Sequence, residues 1–194
     1  QYYILRARMI NETYKFVVKA EADDYDDRAQ ILVVRRGNHV IGGARIIMRS
    51  PRNPQPLPLE SEDFSLIDAL PELKLHDKKY CEFSRFVLLE EFQNTDISVQ
   101  IFRRLGQRAL AMGCRHGFSF ANALTLRIHR KFCAAIKCDF TMFKEVQLPD
   151  KPYYNGNIPC LLMFSAFGRE EEYLHIENAP DLDSSFVDEA ELAL

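Results

Sequence analysis

Two apolar runs on either side of residues 37–38 place the strongest constraint on the fold of this chain. The runs are QILVVRR at 30–36 and HVIGGARIIM at 39–48, and Gly37-Asn38 separates them. A Gly-Asn pair between two alternating runs is typical of a tight β-hairpin, because both residues accept the positive φ that such a turn requires. The sequence therefore predicts two antiparallel strands whose apolar faces other elements must cover.

The rest of the chain predicts a mixture of helices and strands. Apolar residues at helical spacing predict helices at 2–18, 97–115 and 123–137, with a short helix near 63–70. Further strands are predicted at 79–89, 117–122, 140–146 and 160–167. This order favours a mixed α/β domain built on one twisted central sheet. Dinucleotide-binding and P-loop folds are excluded, because neither G-x-G-x-x-G after a strand nor G-x-x-x-x-G-K occurs.

The composition indicates a single hydrophobic core, and the cysteines indicate a reducing compartment. The chain has 194 residues, of which 47% are hydrophobic, and this is enough for one sizeable core. No membrane span is expected, because no run of about 18 apolar residues occurs. The cysteines favour reduced thiols in a cytoplasmic protein, with no disulfide framework and no metal site, because they are odd in number and form no C-x-x-C pair: Cys81, Cys114, Cys133, Cys138 and Cys160.

Charge is distributed unevenly along the chain. Residues 170–194 contain nine acids and neither Lys nor Arg, whereas residues 98–137 contain eight basic residues and no acid. The acidic segment predicts a solvated or loosely docked extension at 169–194 that follows a domain at 1–168. The basic segment favours an acidic protein partner. Nucleic acid is not expected, because a charged outer face is ordinary for an amphipathic helix.

The strand predicted at 79–89 contains two charged residues among apolar ones. Glu82 and Arg85 form either a structural pair or part of a site, because lone charges are rarely buried without a partner. Residues three apart on a regular strand point to opposite faces. For the two side chains to meet, the strand needs a β-bulge, and bulges are common beside active sites.

Other charged residues have both an ordinary and a functional interpretation. Glu21, Asp23 and Asp26 lie in an acidic loop, where carboxylates are commonly solvated residues that form turns. Arg45 lies inside the second hairpin strand, where a charge can discourage edge-to-edge aggregation. Taken together with Glu82, these residues favour a site that holds charged groups.

The set resembles the acyl-homoserine-lactone (autoinducer) synthase family of the GNAT acyltransferase superfamily. The resemblance lies in EADDYD at 21–26, GAR at 43–45 and EFSRF at 82–86, with Arg6 on the first helix, and it spans residues 6–167. It implies a GNAT-like three-layer α/β/α sandwich with a mixed, splayed central sheet. The splay, between the strands at 80–89 and 118–122, would admit the pantetheine and the acyl chain.

The resemblance implies an enzyme that moves a fatty acyl group from acyl carrier protein or acyl-CoA to the amine of S-adenosylmethionine, followed by lactone closure with loss of methylthioadenosine. No tightly bound cofactor is expected. Glu82 is the expected base, with Arg85 beside it, and the backbone N–H groups near Phe86 and Val87 are expected to stabilise the oxyanion. The remaining expectations are acceptor binding by Arg6, Phe16, Glu21, Asp23, Asp26 and Arg45, and docking of the carrier protein on Arg103, Arg104, Arg108, Arg130 and Lys131.

Two alternatives remain open on the sequence alone. Ile10 and Phe16 stand where the family has a Phe and a Trp, and the chain contains no Trp. An N-acyl amino acid synthase, which uses a plain amino acid such as tyrosine as acceptor, is therefore the first alternative. A GNAT-like binding module without turnover is the second. Residues 90–97 lack the Gly-rich turn of ordinary acetyltransferases, which favours a carrier-protein or long-chain donor.

Overall fold

The computed structural model describes residues 1–14, 17, 19–93, 95–149, 160–165, 167 and 182–187. Its helices are α1 (Tyr2–Tyr14), α2 (Leu66–Ala69), α3 (Asp96–Ala111) and α4 (Ala123–Ile136). Its strands are β1 (Gln30–Arg36), β2 (His39–Arg49), β3 (Tyr80–Leu88), β4 (His116–Ala121), β5 (Asp139–Phe143), β6 (Cys160–Ser165) and β7 (Leu182–Val187). The mixed α/β class predicted from the sequence is confirmed.

The described strands form one sheet that opens between β3 and β4. The spatial order is β5-β6-β4-β3-β2-β1-β7, and every neighbouring pair is antiparallel except β3 and β4. These two parallel strands pair only at Cys81 with Gly117 and Glu82 with Phe118. Phe83–Leu88 therefore diverges from β4, which confirms the predicted splay.

Alternation along the strands places helices on both faces of the sheet. In β1, Leu32 and Val34 pack in the core beneath α3 and α4. Their neighbours Ile31 and Val33 pack with α1 on the opposite face. The β2–β3 connection at 50–79 continues that second layer, because its leucines share a core with residues of β2, β3 and β6. The predicted three-layer arrangement is confirmed.

The hairpin and the end of α3 follow from local chemistry. Arg36 pairs with His39, so a two-residue loop joins β1 to β2, and Gly37 takes the positive φ of 56° that this loop requires. The helix predicted to reach residue 115 stops at Ala111 because Gly113 adopts a φ of 82°. A left-handed Gly is a common helix terminator. The helix predicted at 2–18 ends at Tyr14, and residues 15, 16 and 18 of that prediction lie outside the described residues.

The acidic extension differs in part from the prediction. Leu182–Val187 forms β7 and pairs antiparallel with β1, from Ile31 opposite Val187 to Arg36 opposite Leu182. The expectation of a solvated or loosely docked segment is therefore wrong for these residues. The reason is long-range, since the outer edge of β1 offers unpaired backbone groups that a distant strand can satisfy. The rest of the extension lies outside the described residues.

Two further expectations concern membranes and thiols. Among the described helices, none is long and apolar enough to cross a membrane. All five cysteines are free thiols, and all but Cys160 are buried.

Candidate active site

The site is organised by a bulge in β3. Ser84 pairs with Arg45 of β2, and the next pair is Val87 with Gly43, so two β3 residues lie opposite one β2 residue. Arg85, inside the bulge, has a φ of 55°. An extra residue with left-handed backbone is characteristic of a β-bulge. The bulge predicted from the spacing of Glu82 and Arg85 is therefore confirmed.

The bulge is fixed by a residue of α1. The Tyr2 hydroxyl donates a hydrogen bond to the carbonyl of Arg85 at 3.1 Å, and the Tyr2 ring is buried. A Cβ atom at position 43 would lie 2.6 Å from Cε2 of this ring. Gly43 is therefore required for α1 to approach β2 closely enough to bond the bulge. The bulge also shifts the alternation of β3, so that Val87 packs with α1.

A continuous set of charged side chains begins on α1 and ends at the bulge. Arg6 Nη1 donates to Asp26 Oδ2 at 2.8 Å. Arg45 Nη1 lies 2.8 Å from the other oxygen of Asp26 and 2.6 Å from Asp23 Oδ1. Arg85 Nη2 donates to Asp23 Oδ2 at 2.9 Å. Five charges from four segments of the chain are thus joined by direct ion pairs.

The acidic loop is shaped to present these carboxylates. The backbone N–H of Asp23 donates to Asp26 Oδ2 at 2.9 Å, and the N–H of Tyr25 donates to Asp23 Oδ1 at 3.1 Å. Arg6 also donates to the carbonyl of Glu21 at 2.8 Å. Side chains of Asp commonly close such local turns by bonding nearby backbone N–H groups. The two aspartates therefore fold the loop and also carry its charge toward the sheet.

Exposure separates a buried part of the cluster from an accessible part. The side chains of Arg6, Asp26 and Arg45 are buried, whereas those of Asp23 and Arg85 are 28% and 24% exposed. Burial alone would raise the pKa of Asp23. The positive charges of Arg45 and Arg85 have the larger combined effect and hold this pKa below its ordinary value. Asp23 is therefore a carboxylate at neutral pH, and a ligand can reach Asp23 and Arg85 directly.

Glu82 lies beside the cluster and is only 2% exposed. Its Oε2 accepts a hydrogen bond from the Leu59 N–H at 2.8 Å. Ser84 lies on the same face of β3, where its hydroxyl accepts a hydrogen bond from Arg45 Nε at 3.2 Å. Burial raises the pKa of Glu82 to about 7, against the opposing effects of Arg45, the Leu59 N–H, Ser84 and Arg85. A buried carboxyl with this pKa can exchange a proton near neutral pH.

Several predicted residues take other positions. The Glu21 carboxylate is 63% exposed and lies 3.2 Å from Lys19 Nζ, so only its backbone carbonyl joins the cluster. Acceptor binding by the Glu21 side chain stays a prediction. Phe86 is 38% exposed, and its ring centroid is 5.7 Å from that of Phe132 on α4. Val87 is buried in the core beneath α1. Phe16 lies outside the described residues.

Sequence reasoning did not identify three contributors to the site. Ser84 lies two residues after Glu82, and residues two apart on a strand point to the same face. The sequence alone could therefore have placed Ser84 beside Glu82. Tyr2 and the Leu59 N–H reach the site only through tertiary packing, for which the local sequence gives no pattern. All three bond a residue of the predicted set, since they contact Arg45, Arg85 or Glu82.

The residues expected to dock a carrier protein lie on α3 and α4, on the face of the sheet opposite α1. Arg130 and Lys131 are exposed on α4. On α3, Arg103, Arg104 and Arg108 are partly buried, and Arg108 Nε donates to the side chain of Gln30 on β1. Docking on this face stays a prediction.

The described strands thus form a mixed sheet that opens between two parallel strands, and a titratable carboxyl lies at the opening. The chain belongs to the family described as "Acetyltransferase (GNAT) domain", whose profile matches residues 3–103. A search of curated protein sequences found no match.

Solved structures of acyltransferases have the same fold. BjaI, a CoA-dependent acyl-homoserine lactone synthase solved with SAM and isopentyl-CoA, has a TM-score of 0.62 at 16% identity, over 88% of this chain and 77% of its own. FeeM, an N-acyl amino acid synthase from uncultured soil microbes, has a TM-score of 0.57 at 17% identity, over 87% and 84%. The AHL synthase LasI has a TM-score of 0.53 at 18% identity, over 89% and 85%. The predicted resemblance is confirmed at the level of the fold.

Proposed function

We propose that this protein transfers a fatty acyl group from a carrier-protein or CoA thioester to the amine of S-adenosylmethionine and then closes an acyl-homoserine lactone. The observation that carries the proposal is the position of Glu82. Its carboxyl is buried at the last paired residue before β3 and β4 diverge. Ser84, on the same face of β3, is hydrogen-bonded to Arg45, and Arg45 pairs with the accessible Asp23. A thioester that enters the opening and an amine held at Asp23 and Arg85 would meet beside Glu82.

Glu82 acts as the general base in this proposal. The acceptor arrives as an ammonium ion, and Glu82 takes one of its protons to give a nucleophilic amine. The amine nitrogen forms a bond to the thioester carbonyl carbon and the C–S bond then breaks. The nitrogen gives up its second proton, which the leaving thiolate takes, so that an amide and a free thiol result. A pKa of about 7 suits this role, because the carboxylate is both populated and basic near neutral pH.

The bulge supplies the proposed oxyanion site. Within the described strand registers, Arg85 and Phe86 have no partner on β2 or β4. Backbone N–H groups outside a ladder are available to the negative oxygen that develops on the former carbonyl. We assign this role first to the Phe86 N–H, with the Val87 N–H beside it where the pairing with Gly43 resumes. The Tyr2 hydrogen bond to the Arg85 carbonyl keeps the segment in place.

The acceptor binds at Asp23 and Arg85. The Asp23 carboxylate attracts the positively charged part of the acceptor, and the Arg85 guanidinium attracts its carboxylate. Asp26 has a different role, because both of its oxygens are already occupied by Arg6 and Arg45. These three residues hold Asp23 in position and do not contact the acceptor themselves.

Two features support the donor. The opening beyond Glu82 and Phe118 offers a path for a pantetheine arm between the strands. The basic side chains of α3 and α4 favour an acidic carrier protein by long-range attraction. Acyl-CoA is the alternative donor, and BjaI, which has the same fold, is named as CoA-dependent.

A plain amino acid is the second candidate acceptor. Ile10 lies on the buried face of α1 at the position where the autoinducer synthases have a Phe, and no Trp is available to stack on an adenosine group. A smaller acceptor needs only the ammonium and carboxylate contacts of Asp23 and Arg85. The product would then be an N-acyl amino acid, and no methylthioadenosine would form.

Thiol release with a panel of acceptors tests the proposal. The purified protein is incubated with acyl carrier protein thioesters or acyl-CoA and with S-adenosylmethionine or single amino acids, and the products are read by mass. Acyl-homoserine lactone together with methylthioadenosine is the expected result, and Glu82→Gln is expected to abolish both. An N-acyl amino acid alone would favour the second candidate. Ligand binding without thiol release from any donor would overturn acyl transfer and indicate a binding module.

A further inference from the structure

The connection between β2 and β3 carries a buried ion pair that the proposed reaction does not use. Glu60 is a buried residue of this connection, and its Oε1 lies 2.6 Å from Nη1 of Arg49, the last residue of β2. Buried carboxylates are rare unless they are paired and hydrogen-bonded. This pair joins an otherwise irregular segment to the central sheet.

Both carboxylate oxygens of Glu60 also organise the backbone around it. Oε2 accepts from the N–H of Leu57 at 2.7 Å, and Oε1 accepts from the N–H of Leu66 at 2.9 Å. The N–H of Glu60 donates to the carbonyl of Leu57 at 2.8 Å, which closes a tight turn. The turn at 57–60 is therefore built around the Glu60 carboxylate.

The same turn supplies a hydrogen bond to Glu82. Leu59, one residue before Glu60, donates its N–H to Glu82 Oε2 at 2.8 Å. The side chains of Leu57 and Leu59 are buried in one core with Tyr80 of β3, which anchors the side-chain face of the turn, whereas the Glu60 carboxylate holds its backbone. Because the leucine side chains and the Glu60 carboxylate both hold this turn, the Leu59 N–H keeps one position and fixes the orientation of the Glu82 carboxylate.

We propose that the Arg49–Glu60 ion pair is a positioning device for Glu82: it holds the turn at 57–60 so that the Leu59 N–H points at the base. The inference rests on the proposed role of Glu82. Glu60 and Arg49 touch no substrate and act only through the turn. Removing the Glu60 carboxylate frees the Leu57 and Leu66 N–H groups and lets the Leu59 donor move away from Glu82.

Two effects of a Glu60 substitution on the pKa of Glu82 have opposite signs. The charged groups that face Glu82 are Arg45 from β2 and Arg85 from β3, and its titratable neighbour on β3 is the Cys81 thiol. The Leu59 N–H is its hydrogen-bond donor. Losing the Leu59 hydrogen bond destabilises the carboxylate and raises its pKa. Losing the negative charge of Glu60 through space would instead lower it. The direction of the change therefore separates positioning from charge.

The test is a nuclear magnetic resonance titration of the Glu82 carboxyl and the Leu59 amide in the intact protein. Glu60→Gln removes the charge, whereas Glu60→Asp keeps the charge but shortens the side chain. Positioning predicts that both variants raise the pKa of Glu82 by about one pH unit and that the Leu59 amide stops reporting this titration. The exposed Glu62→Gln, in the same connection, is the matched control and is expected to leave both signals unchanged.

Turnover provides a second measurement. In the Glu60 variants, kcat at neutral pH should fall and the midpoint of the pH–rate profile should move to higher pH, while the acceptor KM stays constant. Arg49→Lys keeps the positive charge but removes the guanidinium group that contacts Glu60. It is the milder variant if the Glu60 variants do not fold, and it should move the pKa of Glu82 in the same direction.

An unchanged or lowered pKa of Glu82 in the folded variants would overturn the positioning role. If the wild-type protein transfers no acyl group, the proposed function fails, but the titration still decides whether the turn controls Glu82.

Discussion

Replacing Glu82 by Gln should stabilise the folded protein above neutral pH while removing its activity. Burial raises the folded-state pKa of Glu82, so the folded protein binds this proton more tightly than the unfolded chain does. Below the pKa of the unfolded chain, Glu82 is protonated in both states and does not change the free energy of unfolding. As the pH rises from there toward the pKa of the folded protein, Glu82 lowers the free energy of unfolding by an increasing amount. Above the folded-state pKa the loss of stability is complete. The uncharged Gln of the variant does not cause this loss.

The magnitude follows from the two pKa values. About 1.4 kcal/mol corresponds to one pH unit, so the difference between 4.5 and about 7 gives a cost of about 3 kcal/mol above pH 7. The Gln side chain retains an oxygen that can accept the hydrogen bond of the Leu59 N–H, so little packing is lost. At about pH 5 the carboxyl is protonated in the fold, and the gain should shrink to less than about 1 kcal/mol.

Urea unfolding at about pH 5 and about pH 8 measures this difference in the free energy of unfolding. Glu62→Gln, an exposed substitution of the same type, should change stability by less than about 0.5 kcal/mol at both pH values. A Glu82→Gln variant that gains nothing at the higher pH, or gains equally at both, would show that the folded protein does not raise the pKa of this carboxyl.

Three other substitutions test the cluster and the bulge. Asp26→Asn leaves the buried Arg6 guanidinium without its anion and removes one of the two carboxylates that pair with Arg45, so it should lower the free energy of unfolding by about 3–5 kcal/mol. The exposed Asp27→Asn should change it by less than about 0.5 kcal/mol in the same urea titration. Gly43→Ala should cost about 1–3 kcal/mol, because the new methyl group overlaps the backbone carbonyl oxygen of Leu32 and the ring of Tyr2. A variant with wild-type stability would contradict this packing. Asp23→Asn should raise the acceptor KM about tenfold or more while the donor KM stays constant, and equal changes in both would argue against an acceptor contact.

The parts of this protein that follow from local patterns were predictable from its sequence. The Gly37-Asn38 pair predicts the hairpin because a two-residue loop needs positive φ, and the register confirms it. The spacing of Glu82 and Arg85 predicts the bulge, because without one the two side chains would lie on opposite faces of β3. Arg45 and Asp23 were assigned to the same site, and the structure brings them within 2.6 Å.

The parts that depend on distant segments were not predictable in this way. The turn at 57–60 lies in a Pro-rich stretch, and only the folded chain shows that its Leu59 N–H meets Glu82. The pairing of β7 with β1 joins residues about 150 positions apart, and no local signal specifies it. The acidic loop shows the same limit, because Asp23 and Asp26 join the ion-pair cluster whereas the carboxylate of Glu21 is exposed. The loop sequence alone does not distinguish these three acids.

The central claim is that Glu82 removes the proton from the acceptor amine beside an opened sheet. Its most direct test is the single-turnover rate of thiol release, measured against pH with a saturating acceptor. The wild-type rate should rise with an apparent pKa near 7, and Glu82→Gln should lower the plateau by about 10²–10⁴-fold. A Glu82→Gln protein that releases thiol at the wild-type rate, with the same pH dependence, would contradict the claim.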